Sequence, residues 1–299
     1  MKSANWPTHT ALLLVSTLYG INYSIVKIVT PAFIAPLGFI GYRVLFAAAI
    51  FWLITAKSAE SIDWKNDGFR LFLCGATGAG INMLLFFKGV SMTTAVNASL
   101  IMTLLPLFVF ILSIIILKEK VIIWRLVGLI VGLLGAGLVV YQPNQLSSSN
   151  PIGDLMIVGN AFSYGLYLVL VKRLMTRYQP LTIAKWIFIF GLLFCLPFCF
   201  GQAIDIEPAT FTWQVWLSII YVILGVTVVV YFLNIWAMRR SSPTLVSAYA
   251  YLQPVVAISV AVLFFGEQLN WTHILGGSLI FLGIYLVSRY RSTAIKASA

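Results

Sequence analysis

The stretch Ala95–Tyr141, AVNASLIMTLLPLFVFILSIIILKEKVIIWRLVGLIVGLLGAGLVVY, decides the fold because its plan occurs twice in the chain. It contains an apolar run interrupted by one proline, a short charged gap with one glutamate, and a second apolar run carrying spaced glycines. These four residues are Pro106, Glu119, Gly128 and Gly135, and at an offset of 148 they return as Pro254, Glu267, Gly276 and Gly283. A repeat of fixed spacing indicates two homologous halves.

The composition is that of a protein embedded in a lipid bilayer. Hydrophobic residues make up 61% of the chain and charged residues 9%, with a mean hydropathy of +1.00, whereas roughly a quarter of the residues in soluble domains are charged. The net charge of +11 comes from basic residues in short gaps between apolar runs. It therefore indicates membrane topology rather than nucleic-acid binding. The three cysteines lie inside apolar runs, a placement that predicts neither a disulfide framework nor a metal site.

Ten apolar segments approach the length of about 20 residues that a helix needs to cross a bilayer. They cover residues 10–29, 36–55, 69–90, 95–117, 124–141, 152–171, 182–200, 213–236, 243–265 and 271–288. We therefore predict an all-α membrane protein with ten transmembrane helices. A polar linker at 142–151 divides a first five-helix repeat, 10–141, from a second, 152–289.

The basic residues predict the orientation of the chain. If the N-terminus and every second loop are placed on one side, that side receives 16 of the 19 lysines and arginines. By the positive-inside rule both termini are expected in the cytoplasm. Since five is an odd number, the second repeat would enter the membrane from the opposite face. Two inverted repeats around a central cavity are typical of secondary transporters that work by alternating access.

Motifs in the third to fifth spans of each half carry a family resemblance. In the first half they are Phe86-Phe87-Lys88-Gly89, Ala95, Ala98, Ser99, Pro106, Glu119, Gly128 and Gly135. In the second half they are Val246-Ser247-Ala248, Pro254, Glu267, Gly276 and Gly283. Each half thereby resembles the repeat of the EamA-type branch of the drug/metabolite transporter superfamily. The resemblance implies a ten-helix bundle with a central cavity in a bacterial inner membrane, exporting amino acids or related metabolites, and the chain is similar to aromatic amino-acid exporters.

Polar side chains at mid-depth in the spans expected to line the cavity are the candidate substrate-binding residues, because polar groups in hydrocarbon are costly. They are Asn22, Tyr23, Asn82, Thr103, Tyr164, Tyr167, Tyr231, Asn234, Tyr251 and Gln253. Hydrogen bonding between helices is the alternative role for each of them. Together they predict an uncharged pocket, rich in amides and tyrosines, for a substrate with an apolar or aromatic body.

Arg43 lies seven residues inside the second span, deep enough to need a partner. We expect that partner to be either backbone carbonyls or the carboxylate of a substrate. Pro106 and Pro254 are expected to bend their helices, and the bends either take part in gating or are static. Glu119 and Glu267 stand at helix C-termini, where they are expected to accept bonds from the free amides of the following helix and close a helical hairpin.

The spaced glycines give the fifth and tenth spans a face of small residues. Gly128 and Gly135 in one span and Gly276 and Gly283 in the other are expected to serve either close helix packing or dimerisation. A homodimer is therefore one of the two outcomes left open.

The acidic residues bear on energy coupling and on the rival classes of function. All eight acids fall in loops or at span ends, whereas proton-coupled carriers usually need a titratable group inside the membrane. We therefore expect a facilitative carrier whose partners are a small-molecule substrate and the lipid bilayer, with no cofactor and no nucleic acid. The alternatives are a membrane-embedded enzyme and a non-transporting sensor or scaffold. The alternative substrates are drug-like compounds and phosphorylated or nucleotide-type metabolites.

Overall fold

A computed structural model describes residues 6–56, 60–93, 95–140, 150–206, 208–265 and 271–289. At positions 23, 24, 27, 95–97, 99, 140, 257, 258 and 261–265 the description covers the backbone alone. The side chain of Tyr23 and the whole of Glu267 lie outside it, and so does most of the predicted linker. Within these ranges every regular element is a helix.

The helices follow the apolar runs of the sequence. In chain order they are α1 (Trp6–Val29), α2 (Pro36–Ile54), α3 (Trp64–Met92), α4 (Ala95–Met102), α5 (Leu105–Leu117), α6 (Ile123–Val140), α7 (Pro151–Leu174), α8 (Pro180–Ile204), α9 (Trp213–Arg240), α10 (Pro243–Ala248), α11 (Leu252–Phe265) and α12 (Trp271–Arg289). Over the described residues, seven helical stretches are long and apolar enough to cross a membrane, and an eighth, Ile123–Val139, is apolar but shorter. The protein is therefore an all-helical, multi-pass membrane protein.

Two kinds of helix irregularity occur in corresponding parts of the two halves. α3 contains a π-helical segment at Ala76–Ile81, and α9 contains one at Tyr221–Val229. A turn at Thr103-Leu104 separates α4 from α5, and a 3₁₀ turn at Tyr249–Tyr251 separates α10 from α11. π-helical segments inside α-helices are frequent at functional sites.

The prediction placed both prolines inside continuous helices, whereas each lies in the first turn of a helix, just after a break. Pro106 is the second residue of α5, and the preceding turn is closed by bonds from Thr103 N to Leu100 O (3.1 Å) and from Leu104 N to Ile101 O (3.0 Å). Pro254 is the third residue of α11. The first turn of a helix has no partners for its amides, so a proline there removes no hydrogen bond.

The glycines of α6 and α12 bring the two backbones into direct contact. A Cβ added to Gly135 would stand 2.6 Å from the carbonyl oxygen of Gly276, and one added to Gly128 would stand 2.8 Å from that of Gly283. The lower-numbered glycine of α6 meets the higher-numbered one of α12, so the two helices are antiparallel. This glycine interface, formed by the four residues, is packed within the chain rather than offered to a second copy.

Glu119 closes the α5–α6 hairpin through a side chain, not through the free amides that the sequence analysis expected. Its Oε2 accepts a bond from Nη1 of Arg125 at 3.2 Å, and the side chain of Arg125 is only 2% exposed. α5 ends at Lys118, which has a left-handed φ of 55°, and the amide of Glu119 donates to Ser113 O at 3.3 Å. The tight turn places the carboxylate of Glu119 beside Arg125, in the first turn of α6. A charged guanidinium makes a stronger hydrogen bond to a carboxylate than a neutral backbone amide does.

Candidate functional site

A cavity lies inside the bundle, beside the breaks that separate α4 from α5 and α10 from α11. Its volume is about 560 Å³, including space that is open to solvent. Its lining consists of Tyr19, Asn22, Arg43, Asn82, Met83, Phe86, Phe87, Met102, Leu105, Asn160, Tyr164, Tyr231 and Gln253. Both halves of the chain therefore contribute to its wall.

The cavity brings together six of the residues singled out from the sequence. They are Asn22, Arg43, Asn82, Tyr164, Tyr231 and Gln253. Four others stand outside its wall, namely Thr103, Tyr167, Asn234 and Tyr251. The predicted amides and tyrosines are thus largely assembled in one place, with phenylalanine, methionine and leucine side chains between them. The pocket is not uncharged, however, because Arg43 lies in its wall.

Tyrosines from α1, α7 and α9 form a connected cluster at the cavity. The hydroxyl of Tyr164 accepts a bond from Asn234 Nδ2 at 3.0 Å and lies 3.4 Å from the hydroxyl of Tyr19. The ring of Tyr164 is 6.3 Å from that of Tyr231, whose hydroxyl donates to Gly78 O, in the π-helical segment of α3, at 2.5 Å. Asn234 therefore acts on the cavity indirectly, because it holds Tyr164 in place.

Of the remaining three predicted residues, two contact another helix, which is the alternative role, and one makes a local bond. Thr103 donates to Leu100 O in the turn before α5, and Tyr251 donates to Leu129 O of α6 at 3.0 Å. Tyr167 packs its ring against Gly78, where an added Cβ would stand 2.6 Å from the ring, and its buried hydroxyl has no hydrogen-bond partner within the described ranges.

Asn160 is a cavity residue that the sequence analysis missed. Its Nδ2 donates to Asn82 O at 2.8 Å, and Asn82 Nδ2 returns a longer bond to Asn160 O at 3.5 Å, so the two amides join α3 to α7. The Oδ1 atoms of Asn160 and of Asn22 are both buried, and neither has a hydrogen-bond partner among the residues that the structure describes. Asn160 precedes Tyr164 by four residues, a helical spacing that places both on one face and could have identified it.

Arg43 is almost fully buried at the cavity, with 4% of its surface exposed. Its Nε donates to Thr227 Oγ1 at 2.6 Å, and that hydroxyl donates in turn to Val222 O at 2.7 Å, within the π-helical segment of α9. The guanidinium carbon lies 5.7 Å from the centre of the Phe87 ring. Three ion pairs occur in the part of the chain that the structure describes, and Arg43 belongs to none of them.

Two cations at the end of α7 bind the ends of two other helices. Lys172 Nζ donates to Met238 O and Ser241 O at 2.5 and 2.6 Å, at the end of α9. Arg173 donates to Ile116 O, near the end of α5, at 3.0 Å. Positive charges at helix C-termini are stabilised by the helix dipole. The two cations therefore lie toward the C-terminal end of α7, whereas the cavity residues Asn160 and Tyr164 lie nearer its N-terminal end.

The third tie at this end joins the loop after α7 to the first turn of α3. Asp67, buried in that turn, accepts bonds from Arg177 Nη1 at 2.8 Å and from the hydroxyl of Tyr178 at 2.9 Å. The hydrogen bond to Asp67 raises the pKa of Arg177, and burial raises the pKa of Tyr178. Both side chains therefore keep their protons at neutral pH, and this tie persists there.

The arrangement at the cavity is suited to binding. Its polar lining supplies a guanidinium, amides and phenol hydroxyls, beside apolar and aromatic surface. Among the described residues, no three histidine, cysteine, aspartate or glutamate side chains come together as a metal site would require.

Known proteins resemble the chain over nearly all its length. A family model described as the EamA-like transporter family matches residues 6–141 and again 151–289. A protein of Archaeoglobus fulgidus named an uncharacterized transporter is 26% identical over 94% of this chain and 98% of its own length. The uncharacterized transporter YetK of Bacillus subtilis is 24% identical over 82% of this chain and 76% of its own length.

Two further likenesses agree with this result. A WAT1-related protein of Arabidopsis thaliana is 24% identical over 93% of this chain and 84% of its own length. A crystal structure superimposes with a TM-score of 0.73 at 19% identity, covering 96% of this chain and 98% of the other, and at that identity it shows the fold alone. Because the family model accounts for both halves, the chain belongs to the EamA-like transporter family and is a membrane transporter rather than an enzyme.

Proposed function

We propose that the protein is a secondary carrier that exports small metabolites, amino acids above all, across a bacterial inner membrane by alternating access. The observation that carries the proposal is the cavity itself, which both halves line with amides, tyrosines and one arginine beside apolar side chains. A site of this composition binds a small molecule with an apolar body and a few polar groups. The aromatic surface of Phe86 and Phe87 favours amino acids with large apolar or aromatic side chains.

The proposal includes ten transmembrane helices in two inverted five-helix repeats, 10–141 and 152–289. The glycine interface supports it, because Gly276 is the repeat equivalent of Gly128 and Gly283 that of Gly135. Gly128 contacts Gly283 and Gly135 contacts Gly276, so equivalent residues exchange partners across antiparallel helices. A twofold axis that relates the two halves produces reciprocal contacts of this kind. When that axis lies across the helices, the two halves have opposite orientations.

We further propose that transport is facilitative. In the described part of the chain, the cavity wall contains tyrosines, amides and Arg43 but no carboxylate and no histidine. A carrier driven by protons usually needs a group in the membrane that titrates near neutral pH, and a guanidinium stays protonated. The direction of net flux would then follow the substrate gradient alone.

Flux through the purified full-length protein in sealed proteoliposomes tests this proposal. Vesicles are loaded in turn with labelled amino acids of different side chains, with phosphorylated metabolites and with nucleotides, and protein-free vesicles serve as the control. We expect efflux of amino acids down their gradient that persists when ionophores collapse the pH gradient and the membrane potential. Uphill accumulation that an ionophore abolishes would disprove the facilitative mechanism, and efflux restricted to phosphorylated compounds would disprove the substrate class.

A further inference from the structure

We propose that the cavity recognises its substrate as a zwitterion, with a carboxylate on Arg43 and an ammonium group on the side-chain oxygens of Asn22 and Asn160. The inference rests on the proposed transport function and narrows it to one chemical class. That class is α-amino acids with both the amino group and the carboxyl group free. Amines, carboxylic acids, amino-acid amides and N-acylated amino acids are excluded from it.

The donor side of this site is Arg43. Its Nε donates a hydrogen bond to Thr227. Its two terminal nitrogens have no hydrogen-bond partner among the described residues. A buried guanidinium without an acidic partner is costly, because its charge has left water without compensation. A carboxylate offers two oxygens in the planar geometry that the fork of an arginine matches. Phe87 faces the guanidinium at 5.7 Å and adds an attraction that does not use a donor.

The acceptor side consists of two amide oxygens. Asn160 is held in one orientation because its Nδ2 donates to Asn82 O at 2.8 Å, and this leaves Oδ1 as the atom with no partner among the described side chains. Asn22 Oδ1 is likewise buried and has no partner in the part of the chain that the structure describes, and both residues line the same cavity as Arg43. Buried acceptors in folded proteins nearly always receive a hydrogen bond. An ammonium group has three donors and no acceptor, so it can satisfy both oxygens at once.

The two sides together exclude molecules that carry one charge only. An amine would donate to the asparagines but leave the guanidinium without an acceptor, and it would add a second positive charge. A carboxylate or phosphate without an amino group would bind Arg43 but leave both oxygens without donors. A zwitterion satisfies both sides and places its side chain against Met83, Phe86 and Leu105.

The test compares matched compounds in proteoliposomes that contain the full-length protein. The compounds are labelled L-phenylalanine and L-leucine, phenethylamine, 3-phenylpropionate, phenylalanine amide and N-acetylphenylalanine. We expect each analogue that lacks a free charged group to move at least tenfold more slowly than L-phenylalanine, after subtraction of flux in protein-free vesicles. This comparison uses the parent protein and needs no variant to fold. Equal flux of phenethylamine or 3-phenylpropionate would overturn the zwitterion proposal while leaving transport intact, whereas no flux of any compound would overturn the proposed function as well.

Variants of Arg43 test the donor side directly. Arg43→Gln should slow L-phenylalanine at least tenfold while changing phenethylamine flux little, and Arg43→Lys should fall between the parent and Arg43→Gln because it keeps the charge without the planar fork. Lys88→Gln is the control, since it removes one positive charge from an exposed position of α3 outside the cavity wall. Size-exclusion chromatography and melting temperature establish that each variant is folded. Retention of the parent's preference for L-phenylalanine over phenethylamine by Arg43→Gln would overturn the role of Arg43.

Discussion

At the scale of single residues, two tyrosines of α7 show how one residue type takes two roles in the same helix. Tyr164 lines the cavity and holds a bond with Asn234. Tyr167 is fully buried and rests against Gly78, and its hydroxyl has no partner among the described residues. The sequence predicts both as cavity residues because both are polar side chains at mid-depth in the same span. It does not separate them, because the side on which a neighbouring helix approaches is a tertiary property.

The first prediction separates these two tyrosines. Tyr167→Phe removes a buried hydroxyl without a partner, whose burial costs about 1–3 kcal/mol, so we expect equal or higher melting temperature and unchanged flux. Tyr164→Phe leaves Nδ2 of Asn234 without its acceptor, so we expect a destabilisation of about 1–3 kcal/mol and slower transport. Thermal unfolding in detergent and proteoliposome flux are the measurements. Loss of flux in Tyr167→Phe alone would contradict the assignment.

The second prediction concerns pH and Asp63, the residue before α3. Its carboxylate accepts from Asn66 Nδ2 at 2.6 Å and from Asn66 N at 3.2 Å, and the side-chain bond with Asn66 is the main reason that its pKa is lowered. A depressed folded-state pKa means that the stabilisation is present above the unfolded value, about 3.9, and is lost as pH falls through the lower folded value. Asn caps helices about as well as Asp.

Asp63→Asn should therefore match the parent at pH 7 and should melt at a higher temperature than the parent as pH falls below about 4. Melting curves of both proteins between pH 7 and pH 3 provide the measurement. A difference in melting temperature that stays constant across this range would refute the capping role of the charge.

At the scale of helices, the glycine interface has a sharp steric requirement that one nearby glycine, Gly137, does not share. Gly135 has a backbone carbonyl 2.6 Å from where its Cβ would lie, whereas Gly137, two residues along the same helix, has nothing within 4 Å. A backbone atom cannot rotate out of the way as a side chain can. The same substitution should therefore have opposite signs at the two positions.

The third prediction follows from this contrast. Gly135→Ala should destabilise the protein by about 1–3 kcal/mol because α6 and α12 must move apart. Gly137→Ala should stabilise it by up to about 1 kcal/mol, because alanine loses less backbone entropy than glycine in a helix. The two melting temperatures are compared under identical conditions. A similar change in melting temperature at both positions would mean that helix propensity, and not the contact between α6 and α12, controls the effect.

Most helices could be predicted from sequence, and most contacts at the cavity could not. The second predicted span, 36–55, agrees with α2 (Pro36–Ile54) within one residue, because the length of an apolar run is a local signal. The break before Pro106 and the bond from Arg43 to Thr227 depend on residues brought together by packing, the latter pair being 184 positions apart. Single-sequence patterns carry little information about such pairs.

At the scale of the whole molecule, the fourth prediction concerns orientation and uses the distribution of charge. Reporters fused after Lys296 should be cytoplasmic, and a reporter inserted at Pro208–Thr210, after α8, should be external. The reason is the excess of lysine and arginine on the side assigned to the termini. An alkaline phosphatase and a fluorescent-protein fusion at each site report opposite compartments, and a cytoplasmic signal from the 208–210 insertion would reverse the proposed orientation.

The glycine interface also sets an order of events during biosynthesis. α6 is made early, but the partner that covers its glycines is α12, the last described helix. At about 5–20 residues per second, roughly 7 to 26 seconds of translation separate the two, and α6 emerges with its contact face uncovered. A chain truncated just before α12 would therefore leave that face open to lipid, to the insertion machinery or to membrane proteases. A late stop codon should be as damaging as an early one.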